Sequence, residues 1–178
     1  MADPGVDLGR EALLRALQQA DVAFVLIGGA ALQSHGQTHR TDDVDVTPKR
    51  SQDNLHRLAT VLNALRCKLA IDPSDPLQDV PLPDGYFNSA VLARQDIWNL
   101  KTTHGKLDIT FQPAGFPGGY ESLCERADPR QVAETSIEVR VAALEDVEHS
   151  KRTADRPKDR TYLTRVGRLL PPQGRGGV

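Results

Sequence analysis

Cysteine is scarce: Cys67 and Cys124 are the two in the chain, at no metal-ligand spacing and with no secretory signal ahead of them. That excludes a disulfide scaffold and a cysteine-ligated zinc site, and it predicts reduced thiols in a cytoplasmic protein. Long apolar runs are also missing. The run from Val22 through Leu32 spans eleven residues with two glycines, too short to cross a bilayer, and the N-terminus lacks a basic-then-apolar targeting pattern. No membrane partner is expected. Aromatic residues make up 4% of the chain, and its one tryptophan, Trp98, is expected in the core rather than as a base-stacking platform. No serine or cysteine has an evident base beside it, so the pattern of a nucleophilic hydrolase is absent. Net charge is −2, with a pI near 6.2, which by itself argues neither for nor against a nucleic-acid partner.

What is present is acid in a particular rhythm. Asp43-Val44-Asp45-Val46 alternates carboxylates with β-branched apolar residues. On a strand, with its side-chain period of two, both acids share one face while both valines pack behind. Residues 106–111 repeat the pattern, with Leu107, Ile109 and Phe111 on one face and Asp108 with Thr110 on the other. If the two strands are neighbours, three carboxylates converge. Acids two positions apart on one strand, with Cα atoms about 6–7 Å apart, can bracket two divalent ions roughly 3.5–4 Å apart, the spacing used for displacement at phosphorus. Three such acids repel one another unless cations are present.

Separated from Asp43 by thirteen residues, the Gly28-Gly29 pair ends the apolar strand Val22–Ile27 and runs into a predicted helix beginning at Ala30. Strand, double glycine and helix form a phosphate-cradling arrangement: no Cβ keeps an anion away, and the helix N-terminus offers unpaired N–H groups. Arg40 and Thr41, just before the acid strand, are candidates to steady a triphosphate. His35, His39 and His104 lie near these residues in sequence but fit ordinary turns.

The rest of the pattern reads as one α/β domain over residues 1–170 with a disordered tail at 171–178. A helix covers Glu11–Ala20, and a second follows Ser51 with Leu55, Leu58, Leu62 and Leu65 on one face. Residues 72–85, with four prolines and four aspartates, cannot form a regular element and should be an exposed loop, either a specificity lid or a plain insertion. Ile97–Thr102 and Leu107–Phe111 form a hairpin, 113–119 another loop, and Val132–Val141 a further strand or hairpin. Two helices, about 144–155 and 157–169, close the fold, with Pro157 starting the second. Lys151 falls on the apolar stripe of its helix with Leu144, Val147 and Ala154, so its charge needs a partner. Asp159 shares a face with Leu163, Val166 and Leu170. It would orient Lys151 or Arg156, or form a structural ion pair. Residues 151–168 carry seven Lys/Arg against two aspartates, a local +5 that leaves −7 elsewhere. That suits a triphosphate or an RNA end, although the outer Arg160, Arg165 and Arg168 equally fit a solvated face.

Gly28-Gly29-Ala30-Ala31-Leu32, Arg40-Thr41-Asp42-Asp43-Val44-Asp45 and Gly105-Lys106-Leu107-Asp108 together resemble the polymerase-beta-like nucleotidyltransferase superfamily. The stretch from Leu144 to Asp159, a Lys-containing helix followed by Arg156-Pro157-Lys158-Asp159, is similar to the corresponding segment of AbiEii/MenT-type nucleotidyltransferase toxins. The resemblance spans roughly residues 22–165. It implies a small mixed sheet flanked by helices, and an Mg²⁺ (or Mn²⁺) site at Asp43, Asp45 and Asp108. Asp108 would help to deprotonate the attacking hydroxyl. By the same resemblance Gly28 and Gly29 grip the triphosphate of an NTP, and Lys151 contacts its phosphates. The implied activity is transfer of a nucleoside monophosphate to a hydroxyl of a tRNA 3′ end, with an antitoxin protein as partner. An antibiotic (aminoglycoside or lincosamide) nucleotidyltransferase and a non-catalytic nucleotide-binding module stay open beside it.

Overall fold

A computed structural model describes residues 4–71 and 78–167. Helix α1 (Pro4–Gln19) buries Leu13, Leu14 and Leu17 and turns at Asp21 into strand β1 (Phe24–Ile27). Helix α2 (Gly28–Ser34) follows without a break, and strand β2 (Asp43–Pro48) carries the acid pattern. Ser51 stands at the N-cap of α3 (Gln52–Ala64) in extended backbone, with no side-chain cap bond. Strand β3 (Lys68–Ala70), strand β4 (Asp79–Pro81) and the one-turn helix α4 (Ser89–Leu92) lead to the hairpin of β5 (Ile97–Thr102) and β6 (Gly105–Thr110). The last elements are α5 (Gly119–Cys124), the hairpin β7 (Asp128–Gln131) and β8 (Glu138–Val141), α6 (Leu144–Ala154) and α7 (Pro157–Arg165).

The strands make one mixed sheet in the order β4-β3-β5-β6-β2-β1-β8-β7. Two neighbouring pairs are parallel, β2 with β6 and β1 with β8, and the others are antiparallel. The site depends on the β2–β6 junction, which sets Asp43 opposite Lys106, Val44 opposite Leu107, Asp45 opposite Asp108 and Val46 opposite Ile109. With a side-chain period of two, Val44, Val46, Leu107 and Ile109 all point to one face, where each is at most 1% exposed. α1 packs against β2, β6 and α3. The acids point the other way, toward α5 and α6.

The expected alternation, hairpin and α6 are where the sequence places them, whereas α2 begins at Gly28 rather than Ala30 and α7 ends at Arg165, short of 169. A further expectation fails. Within residues 72–85, read as incapable of regular structure, Asp79–Pro81 form an edge strand on β3, with Lys68 opposite Pro81 and Ala70 opposite Asp79. Pro81 is tolerated because an edge strand has one side that needs no ladder N–H. The segment 113–119 is a loop as expected, but Gly119 opens the short helix α5 that the pattern did not reveal. Residues 72–77, the tail 171–178, and Arg168 and Leu170 lie outside the described residues. Trp98 is in the core, 4% exposed, edge-on to Phe87.

Asn54 ties α3 to the sheet. It is 2% exposed; its Nδ2 donates to the carbonyls of Ala23 (2.9 Å) and Lys49 (2.8 Å), and its Oδ1 accepts from the Ala23 N–H (2.7 Å). Replacing it leaves those backbone groups buried and unpaired. Asn54→Ala is expected to lower stability by about 2–3 kcal/mol, read as a fall in the urea midpoint with an unchanged slope.

Candidate active site

Asp45 and Asp108 stand side by side across the parallel β2–β6 ladder, and Asp43 lies two residues along the same face. Burial pushes the Asp45 carboxyl up to about 6, and the Asp43 charge adds to it; Lys158, Lys151 and the Gly29 N–H, which donates to the carboxylate, pull in the other direction. Asp108 is pushed up to about 7, first by burial and then by the charges of Asp45 and Asp43, against Lys106 and Lys158. Such a pair disfavours double ionisation until a cation arrives. Asp43 lies at the rim, with its Oδ1 3.8 Å from Lys106 Nζ.

The two glycines fit these acids closely. Gly28 has φ +65°, a left-handed conformation that glycine adopts without penalty, and a Cβ there would overlap the Asp45 carboxylate. A Cβ on Gly29 would come within 2.6 Å of Thr41 Cβ and 2.8 Å of the His39 ring. Their first structural role is to let the acid and the 35–42 loop approach the start of α2. That loop is fixed from α1: buried Arg10 donates to the Thr41 carbonyl (2.8 Å) and to Gln33 Oε1 (3.0 Å), while Gln33 donates to the His39 carbonyl (2.8 Å). Thr41 Oγ1 then accepts from the Asp43 N–H at 3.3 Å. Arg40 is exposed at the loop surface.

From the opposite side comes the α6–α7 corner. Lys151, 9% exposed, donates to Asp159 Oδ1 at 2.9 Å, and Arg156 Nε donates to Asp159 Oδ2 at 2.7 Å. Asp159 is fully buried; burial raises its pKa, but the two cationic donors more than offset this and hold it below the usual carboxylate range. Asp159 therefore orients both cations and ties the two helices together. Pro157 starts α7 as expected, and Asp155 ends α6 in the left-handed region at φ 51°. Tyr162 lies under Lys151, 5.5 Å from Nζ to ring centroid. Of the outer arginines, Arg160 pairs with Asp155, and Arg165 donates to the Thr38 carbonyl.

A cavity of about 390 Å³ joins these parts: Gly28, Asp45, Lys151 and Arg156 line it together with Thr110 and the 113–116 loop. Asp108 lies beside Asp45, and Thr41 stands against Gly29. Sequence reasoning missed Lys158, an exposed cation on α7 whose field reaches Asp45, Asp108 and His39. It also missed Arg10. The signal for Lys158 was its place in the Arg-Pro-Lys-Asp run; nothing local distinguished Arg10.

The donor chemistry suits a hard divalent cation, because the acids supply carboxylate oxygens and two of them are raised, first by burial and then by their neighbours' negative charge. The third ligand is not gathered in. Among the described residues no group of three or more His, Cys, Asp or Glu stands close enough to hold an ion. The three acids share one face, and the Asp43 charge acts on both Asp45 and Asp108, while Asp43 lies nearest the rim beside Lys106. His35 and His39 do not pair either: His35 Nε2 sits 2.8 Å from the Ala142 carbonyl, and His39 packs edge-on against Tyr162.

No protein-family model matches the sequence, and no curated protein matches it. Among solved structures, the chain is similar to the solution structure of the antibiotic-resistance factor ANT(2'')-Ia. Identity is 15% and the TM-score 0.51, over 91% of this chain and 84% of that one. The likeness is one of fold: the mixed α/β architecture is shared with that protein. No helix among the described residues is long and apolar enough to cross a membrane.

Two measurements test this electrostatic picture. Because Asp45 and Asp108 titrate above an unfolded aspartate, at about 3.9, the native chain binds more protons than the unfolded one between about pH 4 and 7. Stability contributed by these groups therefore falls as pH rises through that window. In EDTA, Asp108→Asn should raise stability at pH 8 by about 2 kcal/mol, by about a third as much at pH 5, and hardly at all below about pH 4, read by urea titration. Asp159→Asn, which strands the buried Lys151, should cost about 3–5 kcal/mol, and adding Lys151→Met should restore part of it.

Proposed function

We propose that the protein is a divalent-metal-dependent nucleotidyltransferase that moves a nucleoside monophosphate from an NTP to a hydroxyl acceptor, releasing pyrophosphate. One observation carries the reading: Asp45, paired with Asp108 across parallel strands, meets Gly28, Lys151 and Arg156 around one cavity. Anion-binding and cation-binding groups face each other across a gap of ligand size, as a triphosphate with its counter-ion requires.

Asp43, Asp45 and Asp108 would hold Mg²⁺ or Mn²⁺, which when bound neutralises the acids and polarises the phosphate under attack. The chain's own groups do the rest. Lys151 and Arg156, held by Asp159, supply fixed positive charge to the phosphates, and Arg40, Thr41 and the backbone at Gly28-Gly29 steady the far end of the triphosphate. Lys158 adds charge at the mouth. Asp108, raised toward neutrality, is placed to take the proton of the acceptor hydroxyl. Most of the rate enhancement in such a site comes from alignment and charge stabilisation.

For the acceptor, the resemblance of the α6–α7 segment to AbiEii/MenT-type toxins favours a tRNA 3′ end, with growth inhibition and a neutralising antitoxin partner. A second reading, antibiotic modification, is supported by the likeness in fold to ANT(2'')-Ia. Incubation with each labelled NTP, Mg²⁺ and either total RNA or an aminoglycoside panel separates them. Label is expected in small RNA and should fall at least about 100-fold in Asp45→Ala. Label in the antibiotic instead selects the second reading, and equal label from the variant removes the acids from the mechanism.

A further inference from the structure

The acids lie between the cavity and a row of lysines. On the face of the sheet that carries Asp45 and Asp108, the cross-strand registers set three successive rows, about 6–7 Å apart along the strands. In the first, Thr110 stands opposite Ile97, and both line the cavity. The middle row runs from Asp45 through Asp108 to Asn99. The third runs from Asp43 through Lys106 and Lys101 to Lys68, across four neighbouring strands. Burial on the other face fixes this orientation: Trp98, Leu100 and Leu107 point into the core, so the residues on either side of each point outward. Helix α5 packs over β1 and β2, while Ile97, 54% exposed, and the exposed Asn99 and Lys68 lie on the open part of this face. The Lys101 and Lys106 side chains are each 39% exposed.

Such a row is unfavourable in a sheet for its own sake. Like charges directly opposite one another cost stability, and β3, β5 and β6 are interior strands, so these lysines do not guard a sheet edge. Asp79 meets Lys101 at 3.1 Å, and Asp43 lies 3.8 Å from Lys106. With Asp43 given over to a cation, as the proposed function has it, the row is positive.

We propose that this row is the path of the acceptor and that the acceptor is a single-stranded RNA 3′ end, with its phosphates over Lys106, Lys101 and Lys68 and its terminal hydroxyl at Asp108. This rests on the nucleotidyl-transfer reading. In an in-line displacement the attacking and leaving oxygens lie on opposite sides of the phosphorus. With the NTP in the cavity, the attacking hydroxyl comes from the far side of the acids, which is the lysine row. Its oxygen bonds the α-phosphorus and gives its proton to Asp108, while the bond to pyrophosphate breaks and pyrophosphate leaves with the electron pair. Three lysines attract a phosphodiester chain and repel a polycationic aminoglycoside. Asn99, directly across from Asp108, brings an amide donor and acceptor beside the reacting hydroxyl, where a ribose end carries a second hydroxyl and a deoxyribose end does not.

The test is fluorescence anisotropy of a short unstructured RNA with a free 3′ end, titrated with the full chain in the absence of NTP over a series of salt concentrations. Lys68→Gln, at an exposed position, and Lys68→Gln with Lys106→Gln should each lower the slope of log affinity against log salt by about 0.7 per lysine removed, and weaken binding roughly five- to tenfold per lysine at about 50 mM salt. Lys68→Arg, which keeps the charge, should bind as wild type does. A strand with a 2′-deoxy 3′ end should bind wild type about fivefold more weakly, the scale of one hydrogen bond, and Asn99→Ala should erase the difference. An unchanged affinity and salt slope in the double variant, or equal binding of ribose and deoxyribose ends by wild type, would overturn the assignment and leave nucleotidyl transfer standing. Binding of an aminoglycoside that strengthens in Lys68→Glu, read by ligand-observed NMR, would give the face to a cationic acceptor and overturn it too. Failure of every NTP with Mg²⁺ to bind wild type, read by calorimetry without RNA, marks failure of the nucleotidyl-transfer reading itself.

Discussion

Two carboxylates held shoulder to shoulder on parallel strands repel each other, and the surrounding structure is arranged about that repulsion. The register that pairs Asp45 with Asp108 cannot slip by one residue without turning Val44, Val46, Leu107 and Ile109 out of the core. The hydrophobic side of the strands thus enforces the electrostatic strain on the other. Gly28 admits the Asp45 carboxylate, Gly29 donates to it, and the field of Lys151 and Lys158 relieves part of the excess charge. Remove the burial and the acids become ordinary surface aspartates.

The second organising element is the corner between α6 and α7. A lysine on an apolar helical stripe would be a liability alone, but Asp159 meets it with one oxygen and meets Arg156 with the other. Since a buried ion pair adds little net stability over apolar packing, its value here lies in geometry: two cations are fixed on the cavity that Asp45 also lines. The left-handed turn at Asp155 and Pro157 at the first position of α7 set the angle at which this happens.

Much of this was legible in the sequence because it is local. The alternation around Asp43 and Asp45, the hairpin bearing Asp108, the Gly28-Gly29 turn and the stripe position of Lys151 all follow from periods of two and 3.6. What was not legible is non-local. No local signal says that β6 runs parallel to β2, or that Arg10 of α1 grips the loop before the acids. Composition misled at residues 79–81, where proline and aspartate suggested irregular chain and an edge strand formed on β3.

The central claim is that Asp45 and Asp108 form a cation site facing a triphosphate. It is tested most directly by a crystal structure grown with Mn²⁺ and a nonhydrolysable NTP, with the ion located by anomalous scattering. The account predicts manganese bound by Asp45 and Asp108, with Asp43 swung in from Lys106 and the phosphates between the ion and Lys151. Nucleotide bound elsewhere, with no ion touching either carboxylate, would contradict it.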